Sequence, residues 1–249
     1  SYSQAFDSMF EIMRKEYAFN GIQGKQPDWD AVYAELSPRV RAAEGDRDPY
    51  AYFLALRDLM LKFKDGHVGF NGGQLAGLYN EQHVLGGWGF AVRELDDQRV
   101  VVVFVTPGGP AAQAGIRVGA EIIQFGGLPV QQALDNVKPF QPQSTDFGLR
   151  KERTDFLTRG GIGEEIEVTF SNPADSGNEM ESAEDIGFFK SLIRKIQKIF
   201  SGSNPVSSNT IKMTSIYEVD SLLAVYQGGI GDQLVLPTEY YLEPNSGVG

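Results

Sequence analysis

Hydrophobic positions recur at helical spacing through the first quarter of the chain. Phe6, Met9, Phe10, Met13 and Tyr17 step by three and four, which predicts a helix with one apolar stripe. Ser3 is its expected cap, and Gly21 and Gly24 its expected end. Asp28 caps a second helix with Trp29, Val32, Tyr33 and Leu36 inward. Pro38 should kink or stop that helix, because proline has no N–H to donate. Asp48-Pro49 opens a third helix with Phe53, Leu56, Met60 and Phe63 apolar, ending at Lys64 before Asp65-Gly66. Such aromatic stripes build a core rather than a cofactor site.

Beyond Leu85 the period changes. Phe90 and Val92 alternate with Ala91 and Arg93, Val100 to Val105 is one apolar run, and Glu121 to Phe125 reads as another strand. A small-residue helix spans Pro110 to Gly115, and a short one Gln131 to Val137. Thr145 to Arg159 reads as a longer helix with Phe147, Phe156 and Leu157 apolar. Glu165 to Phe170 alternates as a closing strand, and Asn172-Pro173 stops it.

The stretch 174–209 departs from this pattern. Phe189, Leu192, Ile193, Ile196, Ile199 and Phe200 form the apolar face of an amphipathic helix crowded with Lys190, Arg194, Lys195 and Lys198. Three readings compete: packing on the chain's own body, association with a partner or a second copy, and contact with an anionic membrane surface. From Thr210 the character is β, with Ile211, Met213 and Ile216, then Leu222 to Tyr226, Leu234 to Leu236 and Tyr240 to Leu242.

Composition narrows the function. Lys+Arg 22 against Asp+Glu 33 gives a net charge of -11 over 249 residues, which argues against nucleic acid as a partner. With Cys 0, disulfides and thiolate chemistry are excluded. No metal-ligand cluster stands out, and no cofactor is implied. No apolar run reaches membrane-spanning length. The opening SYSQAFDSMF lacks signal-peptide character, and a leader already removed would leave no trace.

The stretch around Gly87-Trp88-Gly89-Phe90 carries the most specific chemistry. Glycines before a strand allow positive φ, so successive amides can face one concavity and capture a carboxylate. A strand beside that concavity can accept an extended peptide as one more strand. The bland alternative is a Gly-rich hairpin without a ligand. GWGF, PGGPAAQAGI and GAEIIQFGGLPV together resemble a PDZ domain over roughly Leu85 to Pro173. That resemblance implies recognition of protein or peptide C-termini, with Gly87, Trp88, Gly89 and Phe90 as the carboxylate-binding residues and the Thr145 to Arg159 helix as the far wall of the groove.

A wider resemblance adds the leading Phe/Met helix, DWDAVYAELSPRVRAA and LKFKDGHV. Together with the PDZ-like stretch these are similar to the carboxyl-terminal processing and tricorn-like serine peptidases. On its own a histidine at a helix exit is as a rule structural. The resemblance implies that His67 is a general base for a serine nucleophile, as in tricorn-like members; other members use a serine–lysine dyad and keep this segment as structure. His83 matches nothing in the family and reads as a surface or hinge residue. No serine here lies in a glycine-rich strand–helix turn, so this chain is expected to be inactive alone.

The expected fold class is α+β. An N-terminal helical bundle (1–75) precedes a PDZ domain built as a partly open β-barrel with two helices (76–173). A helical insertion (174–209) and a β segment (210–249) then lead toward an α/β protease core. The expected function is substrate recognition for a serine endopeptidase, and the alternative is a non-catalytic PDZ scaffold. Family resemblance favours the cell envelope.

Overall fold

Ser1, not Ser3, starts the first helix. In the computed structural model, which describes residues 1–173 and 208–226, α1 runs Tyr2–Glu16. The Ser1 side chain accepts from the Gln4 amide, and the Gln4 side chain returns to Ser1. Ser3 lies within the first turn, and its amide donates to Glu44 Oε2 at 3.2 Å. The helix ends at Glu16, before Gly21 and Gly24, which take left-handed φ of 80° and 76° in the following turns.

Helix α2 spans Trp29–Gly45, capped by Asp28, whose side chain accepts from the Ala31 amide. It continues through Pro38, which does not stop it. Tertiary packing overrides the lost hydrogen bond, because Leu36 and Val40 on either side of the proline are fully buried in the same core. Helix α3 spans Pro49–Met60, and Asp48 Oδ1 accepts from the Tyr50 and Ala51 amides, both at 2.9 Å. Phe6, Phe10, Leu36 and Leu59 are sealed between these helices, each contributing about 1.5–3 kcal/mol by burial. Phe10 meets Trp29 edge to face, with ring centroids 5.5 Å apart.

A fourth helix, α4 at Gly73–His83, has no counterpart in the hydrophobic pattern and buries none of its residues. It hands the chain to a mixed second half. In order these elements are β1 (Gly86–Gly87), β2 (Phe90–Glu94), β3 (Val100–Val105), α5 (Pro110–Gln113), β4 (Glu121–Phe125) and β5 (Leu128–Pro129). Then come α6 (Val130–Asn136), α7 (Asp146–Phe156), β6 (Arg159–Gly160), β7 (Glu165–Ser171), β8 (Asn209–Thr214), β9 (Ile216–Tyr217) and α8 (Asp220–Tyr226).

The main sheet runs β2-β3-β4-β7-β8, with β5 attached to β4, and it is not closed into a barrel. Its core holds Phe90, Val100, Val102, Ile122, Val168 and Phe170. β7 does not close the sheet. β8 pairs along it from Glu165↔Thr214 to Phe170↔Asn209, so residues beyond 208 extend the PDZ-side sheet. Leu222 to Tyr226, expected as a strand, is helical. Phe147, expected on the apolar side of α7, is 81% exposed. The amphipathic helix Phe189 to Phe200 and the strands at Leu234 to Leu236 and Tyr240 to Leu242 lie outside the described residues. Overall the chain is α+β, a helical N-terminal region followed by a PDZ domain.

Candidate functional site

Gly87-Trp88-Gly89-Phe90 forms the head of edge strand β2. Gly86 and Gly87 make up the central strand of a small sheet, paired to Gly160 and Arg159 on one side and to Tyr217 and Ile216 on the other. A Cβ at Gly87 would strike the Arg159 guanidinium and the Glu218 carboxylate, which explains why glycine sits there. The Trp88 and Phe90 side chains face the core, 2% and 0% exposed. Gly89 takes φ of 77° and folds the chain against Pro110; its carbonyl accepts from the Thr106 amide, and that of Trp88 from the Ala111 amide. The turn thereby presents backbone rather than side chains.

β2 is an edge of the main sheet, and α7 packs alongside it. Two ion pairs tie strand to helix. Arg150 reaches both oxygens of Glu94, at 2.6 and 2.8 Å, and Arg93 pairs with Asp155. α8 packs against β2, β3 and α7, and the Val225 carbonyl accepts from Arg93 Nη2 at 2.7 Å. The chain's own residues 220–226 therefore lie along the groove between β2 and α7.

Beneath this segment Arg159 and Glu218 form a buried ion pair at 3.0 Å. Glu218 also accepts from the Ser221 amide and hydroxyl, each at 2.7 Å, and from the Thr106 hydroxyl at 3.0 Å. Burial alone would raise the Glu218 pKa. The Ser221 donors, Arg159 and Thr106 outweigh it and hold the carboxyl below its ordinary value.

His67 stands apart from the groove, at the exit of the helical region. Its ring is 95% exposed, and Nδ1 lies 3.1 Å from Asp65 Oδ1. A carboxylate only accepts, so the ring meets Asp65 through an Nδ1–H and turns Nε2 away from it. The same oxygen accepts the His67 amide at 3.0 Å, and Tyr17 donates its hydroxyl to Oδ2 at 3.3 Å. The His67 amide is the main reason the Asp65 carboxyl stays below its usual range, while burial acts the other way. Burial and the charge of Asp65 push the Tyr17 phenol up to about 12. The Gly66 amide donates to Ser144 Oγ at 2.9 Å, which anchors the histidine turn to the segment before α7.

Asp65 and Tyr17 escaped the sequence reading, which took Asp65 only as part of a helix stop. The spacing Asp65-x-His67 was the available signal. His83 lies on α4 with its ring 4.6 Å from Tyr79, and burial lowers its pKa. No cluster of His, Cys, Asp and Glu suited to a metal occurs among the described residues. No helix among the described residues is long and apolar enough to cross a membrane.

Residues 80–141 match the PDZ domain family. No curated protein matches the sequence. Among solved structures, mature CPAF superposes with a TM-score of 0.56 at 14% identity, covering 87% of this chain and 34% of that one. Mature CPAF complexed with lactacystin gives 0.53 at 13% identity, covering 87% of this chain and 35% of that one. The PDZ domain of a carboxy-terminal protease from Vibrio cholerae, in complex with peptide, matches over 53% of this chain and 94% of its own at 14% identity, with a TM-score of 0.27. The chain thus spans about a third of the length of the CPAF chains it matches. It carries a PDZ domain, set within a fold that it shares with mature CPAF.

Proposed function

We propose that this chain is the substrate-recognition and N-terminal portion of a serine endopeptidase of the carboxyl-terminal processing or tricorn-like family. It holds the C-terminal tails of protein substrates. The observation that carries this reading is β2, an edge strand headed by Gly87-Trp88-Gly89-Phe90 within the PDZ match and faced by α7, which follows that match. An extended tail adds to such an edge through main-chain hydrogen bonds, and the amides of the 87–90 turn take its terminal carboxylate. α8 lies along the same edge, so a tail gains full contact only when α8 shifts. Its apparent affinity is then reduced by the fraction of molecules in the open state.

His67 is the general base in this reading, and the nucleophilic serine comes from a region outside these residues. Asp65 fixes the Nδ1–H tautomer, so Nε2 can take the serine proton during attack and return it to the leaving amine. Tethering a tail raises the local concentration of the scissile bond without any new catalytic contact. In the full-length protein, His67→Ala should lower kcat by about 10²–10⁴-fold and leave tail binding unchanged. Undiminished hydrolysis would remove His67 from the mechanism, and absence of any hydrolysis by the parent would favour a non-catalytic scaffold.

A further inference from the structure

A cavity of about 310 Å³ opens beside His67, walled by α3, α4, the 66–70 turn and the 140–142 loop. It lies outside the groove between β2 and α7. Phe53, Phe70, Tyr79 and Phe140 give it aromatic walls, and Arg57 is its cation. Among the described residues, no Asp or Glu lines it.

Arg57 is the unusual member. It is 7% exposed. Its Nη2 donates to the Pro139 carbonyl at 2.6 Å and to that of Phe140 at 3.4 Å, and the guanidinium stacks 4.2 Å from the Tyr79 ring centroid. Its Nη1 is buried without a hydrogen-bond partner. The neighbouring carboxylate, Asp58, is held instead by Arg39 at 2.8 Å and Lys138 at 2.5 Å. A guanidinium offers five N–H donors, and leaving a buried charged donor unpaired is unfavourable unless another group supplies the acceptor. Carbonyls and an aromatic face hold the cation in place without neutralising it.

We infer that this cavity binds an acidic side chain of a polypeptide, glutamate or aspartate, carried next to a bulky hydrophobic residue. The carboxylate meets the Arg57 guanidinium, and the hydrophobic neighbour fills the aromatic walls. The volume equals about ten waters at roughly 30 Å³ each, too large for a carboxylate alone and suited to a carboxylate with an apolar neighbour. The occupant is a side chain rather than a chain terminus because, under the proposed function, the groove at β2 already takes the terminus. The inference rests on that reading for this choice and for the role given to His67. His67 lines the same cavity, so an acidic residue held there lies next to the base and sets where the chain is cut.

Calorimetric titration of the 249-residue chain with doubly blocked dipeptides tests this without catalysis. Acetyl-Phe-Glu-amide and acetyl-Glu-Phe-amide have no free terminus and leave the β2 groove unread. At least one should bind saturably and lose at least about tenfold in affinity when glutamine replaces glutamate. Arg57→Met should abolish that difference. Because Arg57 also braces the 139–140 carbonyls, Ala76→Trp provides a second test by filling the cavity from α4 with Arg57 intact, and it should abolish binding. Gly89→Val should leave it unchanged, which separates this site from the tail groove. Equal affinity for glutamate and glutamine peptides, or binding that survives Ala76→Trp, overturns the inference. On Gly89→Val, where the tail groove is disabled, tighter binding of acetyl-Phe with a free carboxylate than of either blocked peptide would make the occupant a chain terminus and overturn it equally.

Discussion

The Arg159 guanidinium and the Glu218 carboxylate meet at 3.0 Å with side chains only 1% and 4% exposed, joining the strand after α7 to the segment that leads into α8. A buried pair of this kind is held together by geometry, and removing one partner strands the other. Glu218→Gln should therefore destabilise the chain by about 3–5 kcal/mol in chemical denaturation. The acid side carries the same information. The folded Glu218 pKa lies below its unfolded value, so its contribution is present above the unfolded pKa and lost as pH falls through the folded one. The variant should lose that part of the acid dependence.

α8 bears on ligand access. Val225 is 4% exposed, and its carbonyl accepts from Arg93 on β2. Val225→Ser weakens the packing of α8 and leaves the ion pair beneath it intact. Fluorescence anisotropy should show tighter binding of a labelled C-terminal peptide to this variant than to the native chain. Weaker binding would mean that α8 forms part of the binding wall.

Glu152 supplies a pH signature on the groove helix itself. It is 3% exposed, and burial pushes its carboxyl up to about 7, although the Phe140 and Gln141 amides and the Gln143 side chain pull the other way. The folded pKa exceeds the unfolded one, so the fold binds more protons between the two values. Stability should fall as pH rises from about 4.5 to about 7 and level off above. Glu152→Gln should flatten that slope and stabilise the chain at pH 8 by about 2–3 kcal/mol. A thermal-melt series across pH checks it.

The Asp65–Tyr17 contact can be read by spectroscopy. Tyr17 is pushed up to about 12 by burial, then by Asp65 through its charge and the hydrogen bond at 3.3 Å. Asp65→Asn removes the last two causes, so ultraviolet titration should bring one tyrosine back toward the ordinary value near 10. An unchanged titration would mean that Asp65 does not reach Tyr17 in solution.

Much of the architecture was legible because local chemistry and packing agree there. Asp28 and Asp48 cap the helices they were expected to cap, and Val100 to Val105 is a buried strand flanked by the expected turns. The misses have physical causes. Leu222 to Tyr226 is apolar and too short for its period to separate helix from strand. Gly73–His83 buries nothing, so no stripe announces it. Pro38 reads as a kink or a stop, and the helix continues past it with Leu36 and Val40 buried on either side. The GWGF turn was visible in the sequence, whereas α8 beside β2 depends on contacts more than a hundred residues apart. Arg57 and Glu152 stand out in no pattern of the sequence, and only the tertiary fold buries them.

Under the proposed function, the turn at Gly89 grips a free carboxylate at the head of β2. The most direct measurement is anisotropy of one labelled peptide with a free and with an amidated C-terminus, on the native chain and on Gly89→Val. Gly89 has φ of 77°, and a Cβ there would lie 3.2 Å from Pro110 Cδ, so valine distorts this turn in particular. The account predicts that the free peptide binds at least about tenfold more tightly than the amide, and that Gly89→Val removes the difference while the helical region stays folded. Equal affinity for the two peptides on the native chain would contradict it.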